Sequence, residues 1–236
     1  MDLDMRLQRA FDRVELVSGS IGNPGEGRMC VMSLVAFLAG EAHSDAPRCA
    51  SPLIQTFAVL VNNHMPREAR QRLKPFAPRI IGTNDGFDRV RAEILRHALA
   101  EGILAKALGQ CLTEPAPPQG RLSRLRRLWR WLRKDEQGRL LALSGDDGID
   151  LARGAARLVA RSARRAPCAR EQERHWDAAI ELLDRLCDVR APQRGPGIRA
   201  ERLARLENMP PAGQRTHPGA RSPPFTYSCD TRCPAC

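Results

Sequence analysis

Aromatic residues are scarce in this 236-residue chain: they make up 4% of the sequence, although hydrophobic residues reach 42%. A hydrophobic core must therefore be built mainly from Leu, Ala, Val and Ile. Strands are enriched in aromatic and β-branched side chains, whereas Leu and Ala are strong helix formers. The composition therefore disfavours an all-β fold, and we predict an all-α protein.

The chain also lacks any apolar run approaching the roughly 18–20 residues that are needed to span a bilayer. Residues 1–6 begin with acidic side chains and are not followed by the apolar stretch of a signal peptide. The eight cysteines are irregularly spaced and do not form the framework of a small disulfide-rich protein. These absences predict a cytoplasmic protein without a transmembrane segment.

Lysine is rare, so arginine supplies most of the formal net charge of +11. The net charge is +1 over residues 1–118, +6 over 119–191 and +4 over 192–236, which places the basic character in the second half. A basic protein attracts nucleic acid through counterion release whatever its function. An excess of Arg, Ala, Gly and Pro is also what a GC-rich coding sequence produces, so the charge alone is weak support for phosphate binding.

Apolar residues recur at helical spacing along most of the chain, and no segment alternates for long enough to predict a strand. Gly40 is a helix stop signal, and Ser51-Pro52 is a restart signal with an N-cap and a proline at the first helical position. A short helix is expected to begin at Pro66 and to be stopped by Pro75 and Pro78. The longer predicted helices cover residues 3–16, 28–39, 52–64, 88–108, 147–165 and 169–189.

Proline-rich segments suggest where the folded parts end. A linker is expected around 114–120, and eight of the eighteen prolines lie beyond position 191. Within that last segment, 198–206 carries the one helical pattern, and the composition is typical of disorder. We therefore predict a helical domain over 1–112, a Pro-rich linker over 113–120, a basic helical extension over 121–191 and a disordered tail over 192–236.

The segment between Cys30 and Cys49 gathers residue types that bind zinc or iron or take part in acid–base catalysis, since it also contains Glu41, His43 and Asp45. Its spacing is not a known ligand pattern, because the two cysteines flank a helix about 15 Å long. We predict Cys30, His43 and Cys49 as metal-ligand candidates. The alternatives are a helix–loop–helix corner with a buried cysteine and a partner-binding loop.

A second candidate site is a basic amphipathic helix over 121–134, which contains no acidic residue. Leu122, Leu125, Leu128 and Trp129 lie on its apolar face. It could bind nucleic-acid phosphates, rest on an anionic membrane surface or pack its apolar face on the core. The residues predicted to bind nucleic acid or an acidic partner are Arg121, Arg124, Arg126, Arg127, Arg130, Arg133 and Lys134.

The last eight residues contain Cys229, Cys233 and Cys236. This spacing also occurs in radical S-adenosylmethionine enzymes, but there the motif follows an early strand of a barrel, which is not predicted here. Three thiolates together with His217 or Asp230 could hold one zinc ion. A redox-active disulfide between the last two cysteines, modification by a peptide-modifying enzyme and a tail without function are the alternatives.

Residues 28–97, about a third of the chain, contain a distinctive pattern: Cys30-x-Met32, Leu38-Ala39-Gly40-Glu41, Ser44-Asp45-x-Pro47-x-Cys49, Pro52, Arg72-Leu73-x3-Ala77-Pro78-Arg79 and Gly82-Thr83. This pattern resembles a family of uncharacterised bacterial proteins found mainly in actinomycetes. The resemblance implies that residues 1–110 form a folded unit, and it implies no activity and no catalytic residue.

Two functions of different classes follow. The first is a non-enzymatic interaction protein whose Arg-rich half binds an acidic partner or nucleic acid. The second is a metal-binding protein or metalloenzyme that uses the Cys30–Cys49 segment or the C-terminal cysteines, with zinc or iron as the candidate metals. A nucleotide site is not predicted, because the glycines of residues 19–27 lack a phosphate-binding lysine and a preceding strand.

Overall fold

Helices dominate the chain, as the composition predicts. A computed structural model describes residues 2–19, 24–100, 148–189 and 197–210. The elements in these ranges are α1 (Leu3–Asp12), β1 (Glu15–Leu16), a 3-10 turn (Pro24–Glu26), β2 (Arg28–Met29), α2 (Val31–Ala39), α3 (Pro52–His64), α4 (Arg67–Arg70), a 3-10 helix (Gln71–Phe76), α5 (Ala77–Ile80), α6 (Asp88–Ala100), α7 (Gly148–Arg165), α8 (Ala169–Asp188) and α9 (Ala200–Glu207).

The corner between α2 and α3 is built by the predicted stop and restart signals. Gly40 follows the last residue of α2 in the left-handed conformation, with φ of 76°, which a residue without Cβ adopts at little cost. Ser51 caps α3 by accepting a hydrogen bond from the backbone N–H of Ile54 at 3.2 Å, and Pro52 is the first residue of the helix. Both predicted signals are confirmed.

Two short strands were not predicted. Helix α1 ends at Asp12 rather than at 16, and Glu15–Leu16 pairs in parallel with Arg28–Met29. Leu16 and Met29 are fully buried by this pairing. Strands of two residues leave no period-two pattern in the sequence, so their formation depends on contacts between distant segments.

The expected stop at Pro75 and Pro78 is wrong. The chain continues as a 3-10 helix through Pro75 and then as α5, which has Pro78 in its first turn. Proline lacks a backbone N–H, and in the first turn of a helix this group has no partner within the helix in any case. A change of helix type therefore accommodates both prolines in one continuous helical path from Arg67 to Ile80.

One hydrophobic cluster contains buried residues from both sides of the predicted linker. Helix α2 lies at its centre, since every residue of Val31–Ala39 is buried. Helix α7 packs against α3, α6 and α8, and α8 also packs against α3 and α6. Residues 148–189 therefore belong to the same core as 2–100, whereas the sequence suggested a separate basic extension. The difference arises because tertiary contacts, which linker composition does not reveal, unite the two parts.

The helical pattern predicted at 198–206 is confirmed as α9, and it is docked rather than isolated. Leu203 and Leu206 are buried, and α9 packs against α1 and α2. The N–H of Arg199 donates to the carbonyl of Leu38 at 2.9 Å. The segment 197–210 is therefore part of the fold, although the sequence placed it in a disordered tail. Residues 211–236 lie outside the described residues.

Arg91 joins α6 to the end of α8 through a fully buried guanidinium group. It donates to both carboxylate oxygens of Asp85, at 2.7 and 2.9 Å, and to one oxygen of Asp88 at 3.0 Å. It also donates to the carbonyls of Leu186, at 3.3 Å, and Val189, at 2.5 Å. These bonds hold the carboxyl end of α8 against the first turns of α6.

Candidate functional site

The predicted metal ligand Cys30 is a capping residue in the structure. Its side chain is buried at the N-terminus of α2, where Sγ accepts a hydrogen bond from the N–H of Ser33 at 3.3 Å. The Ser33 hydroxyl is a second partner at 3.2 Å. These contacts give the thiol a structural role at the start of the most buried helix.

Cys49 contacts Glu41 instead of Cys30. The two carboxylate oxygens of Glu41 accept hydrogen bonds from the backbone N–H groups of Arg48, at 2.7 Å, and Cys49, at 2.8 Å. Burial raises the pKa of the Cys49 thiol to about 12, and its contact with the Glu41 carboxylate acts in the same direction. Cys49 is therefore held as a neutral thiol, which is neither a good nucleophile nor a ready metal ligand.

His43 and Asp45 are exposed on the same loop. Across residues 2–19, 24–100, 148–189 and 197–210, no group of three or more His, Cys, Asp or Glu side chains is placed to hold a metal ion. The structure therefore does not bring Cys30, His43 and Cys49 together as a metal site. The loop is a helix–loop–helix corner in which the Glu41 carboxylate binds the backbone N–H groups of Arg48 and Cys49.

The other two sequence candidates cannot be placed. The basic helix predicted at 121–134 and the cysteines Cys229, Cys233 and Cys236 lie outside the described residues. Their predicted roles in polyanion binding and zinc binding stay predictions.

The described part of the basic half presents a different row of cations, on α7. Arg153, Arg157, Arg161 and Arg164 are three or four residues apart, a spacing that places them on one face of a helix. We call this set the α7 arginine stripe. It extends about 16 Å along the helix axis, since each residue adds about 1.5 Å. The helix was predicted, but its arginines were not singled out, although their spacing in the sequence was the signal.

The centre of the site is a contact between α7 and the end of α3. Arg157 and Arg164 are exposed, and a guanidinium nitrogen of Arg164 lies 3.5 Å from Nδ1 of His64. Within the described ranges, Arg153 pairs with Asp150, whereas neither Arg157 nor Arg164 forms an ion pair. Partial burial lowers the pKa of His64, and the positive charges of Arg164 and Arg157 lower it further. The local field is therefore positive.

Helix α8 is organised differently, because four of its six acidic residues pair with arginines of the 3-10 helix and α5. Arg72 binds Glu173 and Asp177, the latter at 2.6 Å, and Arg79 binds Asp184 and Asp188, the latter at 2.6 Å. These pairs connect α8 to the 3-10 helix and α5, and surface pairs of this kind contribute little stability each. Helix α7 carries five arginines and one acidic residue, whereas α8 carries three arginines and six acidic residues, so the excess positive charge of this helix pair lies on α7.

A small open cleft offers a further concave surface, with a volume of about 270 Å³. Its polar groups are already engaged with one another: Lys74 donates to the carbonyl of Phe11 at 2.8 Å, and Arg67 pairs with Glu15 at 2.7 Å. Burial lowers the pKa of Lys74. The cleft therefore has a structural explanation and offers weaker support for a function than the α7 arginine stripe.

Comparisons with protein-family models, with characterised proteins and with solved structures found no match to this chain. The resemblance of residues 28–97 to an uncharacterised bacterial family accordingly stays a prediction. Among the described helices, none is both long and apolar enough to cross a membrane.

Proposed function

We propose that this chain is a non-enzymatic interaction protein whose arginine-rich half binds a polyanion, with nucleic acid as the favoured class and an acidic protein as the alternative partner. The observation that carries the proposal is the α7 arginine stripe, in which Arg157 and Arg164 are exposed and form no ion pair within the described ranges. Their effect on the pKa of His64 is a second sign of concentrated positive charge.

The shape of the site favours nucleic acid over a single acidic side chain. Arg157 and Arg164 are exposed, lie about 10 Å apart along the axis of one helix and form no ion pair within the described ranges, so they suit a ligand with regularly repeated negative charge. Arginine also binds phosphate oxygens through two parallel N–H groups, which lysine does not. The predicted basic helix over 121–134 would add seven basic residues to the same half of the chain.

A cytoplasmic setting accompanies the proposal. Cys30 and Cys49 are buried thiols and do not form a disulfide, as expected of a protein in a reducing compartment.

The first test is binding of a fluorescein-labelled 20-base-pair DNA duplex by fluorescence anisotropy at several salt concentrations. We expect the dissociation constant to rise steeply with salt, because each neutralised phosphate contributes about 0.9 to the logarithmic slope. The double variant Arg157→Glu/Arg164→Glu should weaken binding and lower that slope by about 1.8. An unchanged slope in the folded variant would remove α7 from the interface.

The matched control reverses two exposed arginines elsewhere, Arg48 in the α2–α3 loop and Arg205 on α9. Arg48→Glu/Arg205→Glu changes the net charge by the same amount, so a general charge effect would weaken binding equally in both variants. Poly-L-glutamate in place of DNA separates the two partner classes. Binding of labelled poly-L-glutamate together with no DNA binding would favour the acidic-protein alternative.

The predicted basic helix has its own test. Arg126→Glu, Arg127→Glu and Arg130→Glu in one chain should weaken DNA binding if this helix contacts phosphates. Intact binding in this triple variant, together with a loss in the α7 variant, would confine the interface to α7. Intact binding in both would end the proposal.

A further inference from the structure

We propose that His64, Arg157 and Arg164 form one phosphate-binding subsite between the end of α3 and α7, and that binding of a nucleic-acid phosphate there is coupled to the uptake of one proton by His64. This inference rests on the proposed function and adds a location and a regulatory property to it. The ligand group is a phosphodiester, which keeps one negative charge throughout the range of histidine titration.

The geometry brings two nitrogen-rich side chains, His64 and Arg164, into contact, and Arg157 lies on the same face of α7 as Arg164. His64 is the last residue of α3, and Arg157 and Arg164 are seven residues apart, about two turns, on the facing α7. The 3.5 Å contact joins Arg164 to Nδ1 of the imidazole ring. A guanidinium group can only donate hydrogen bonds, so Nδ1 accepts from Arg164 when it carries no proton.

The charges around His64 explain why the proton is absent without a ligand. Arg157 and Arg164, both on α7, are the charged groups that act on the ring. The next charged residues along the chain are Arg67, which is paired with Glu15 at 2.7 Å, and Glu68. Burial and the two arginines lower the pKa of His64. At pH 7, therefore, the imidazole ring is neutral in most of the molecules.

A phosphate would reverse this balance. Its negative charge, placed between the arginines, compensates the field that opposes protonation, and an imidazolium ring can donate an additional hydrogen bond to a phosphate oxygen. Protonation of Nδ1 also ends its role as an acceptor, which releases the Arg164 guanidinium group toward the ligand. The proton comes from solvent, and no covalent bond changes.

The sign of the pH dependence follows from linkage. If binding raises the pKa of His64, the complex holds more protons than the separate partners, and binding strengthens as pH falls. A rise of one unit corresponds to about tenfold tighter binding at pH values below both pKa values. The effect disappears at alkaline pH, where the ring is neutral in both states.

The experiment measures binding of the same 20-base-pair duplex between pH 5.5 and 8.0 at fixed salt. The full-length protein should bind about three- to tenfold more tightly at pH 5.5 than at pH 8.0. His64→Gln should lose the pH dependence, so that its affinities at pH 5.5 and pH 8.0 agree within about twofold, because the glutamine side chain does not titrate in this range. The control His175→Gln removes another histidine whose pKa is lowered by burial but whose charged neighbour is Glu171, and it should retain the pH dependence.

A second measurement reads the proton directly. The NMR signal of His64, assigned by its loss in His64→Gln, should titrate at a higher pH in the presence of the duplex than in its absence. Salt-dependent binding without pH dependence, or equal pH dependence in His64→Gln, would overturn the coupling and leave the proposed function standing. Absence of salt-dependent binding at every pH would overturn both.

Discussion

Replacement of Arg91 by methionine should destabilise the protein severely. Methionine fills most of the volume of the arginine stem but removes the charge and every donor. The change leaves the carboxylate of Asp85, whose side chain is 8% exposed, without its buried counter-ion. It also removes the donor to the carbonyls of Thr83, Leu186 and Val189.

The expected loss is about 3–5 kcal/mol of the free energy of unfolding, the usual cost of removing one member of a buried ion pair. A lysine at this position keeps the charge but has three donors in place of the forked guanidinium group, so Arg91→Lys should lose less, about 1–3 kcal/mol. The matched control is Arg96→Met on the same helix. Arg96 forms a surface pair with Glu93, and its loss should cost less than about 1 kcal/mol.

Urea unfolding followed by far-ultraviolet circular dichroism measures these differences, with the slope m checked for constancy across the variants. The reasoning is refuted if Arg91→Met loses less than about 1 kcal/mol at unchanged m, or if it loses no more than Arg96→Met. Either result would mean that the end of α8 is held to α6 by apolar packing alone.

Three other perturbations test the corner and the predicted metal sites. Folding lowers the pKa of Glu41 below its unfolded value of 4.5. The ionised carboxylate therefore contributes its full stabilisation above pH 4.5, and this contribution is lost as the pH falls through the lower folded pKa. In Glu41→Gln the free energy of unfolding should fall less steeply with pH over this acid range. In urea unfolding, Gly40→Ala should lower the free energy of unfolding more than Gly86→Ala does. Both glycines have positive φ, but a Cβ at position 40 would lie 2.9 Å from Cγ of Arg199, whereas a Cβ at position 86 would have no atom within 4 Å. His43→Ala should leave the zinc content of the full-length protein unchanged by elemental analysis, because the described residues place no group of three or more ligand side chains around it, and a loss of zinc would contradict that geometry.

The helix boundaries could be predicted from the sequence where a local signal determines them. Gly40, Ser51 and Pro52 act through their own backbone conformation and hydrogen bonds, and Pro167 separates α7 from α8 as expected. Such signals need no knowledge of the rest of the fold. The same reasoning explains the confirmation of the all-α prediction, because helical periodicity is a local property.

The features that were missed depend on contacts between distant segments. The pairing of Glu15–Leu16 with Arg28–Met29, and the inclusion of α7 and α8 in the core of α2 and α3, leave no local trace. The candidate site shows the same limit. Residue types suggested a metal site around Cys49, but the direction of the Glu41 carboxylate, set by two backbone N–H groups, gave that loop a structural role.

The docking of α9 on α1 has a consequence for synthesis on the ribosome. Arg6 and Glu207 form a bidentate pair across 201 positions of sequence. At translation rates of about 5–20 residues per second, α1 is made about 10–40 s before its partner helix. During this interval α1 lacks the contacts of α9. Formation of the complete core therefore has to await the synthesis of residues 200–207, and a ribosome stalled before position 200 would hold a chain whose first helix is still open to chaperones.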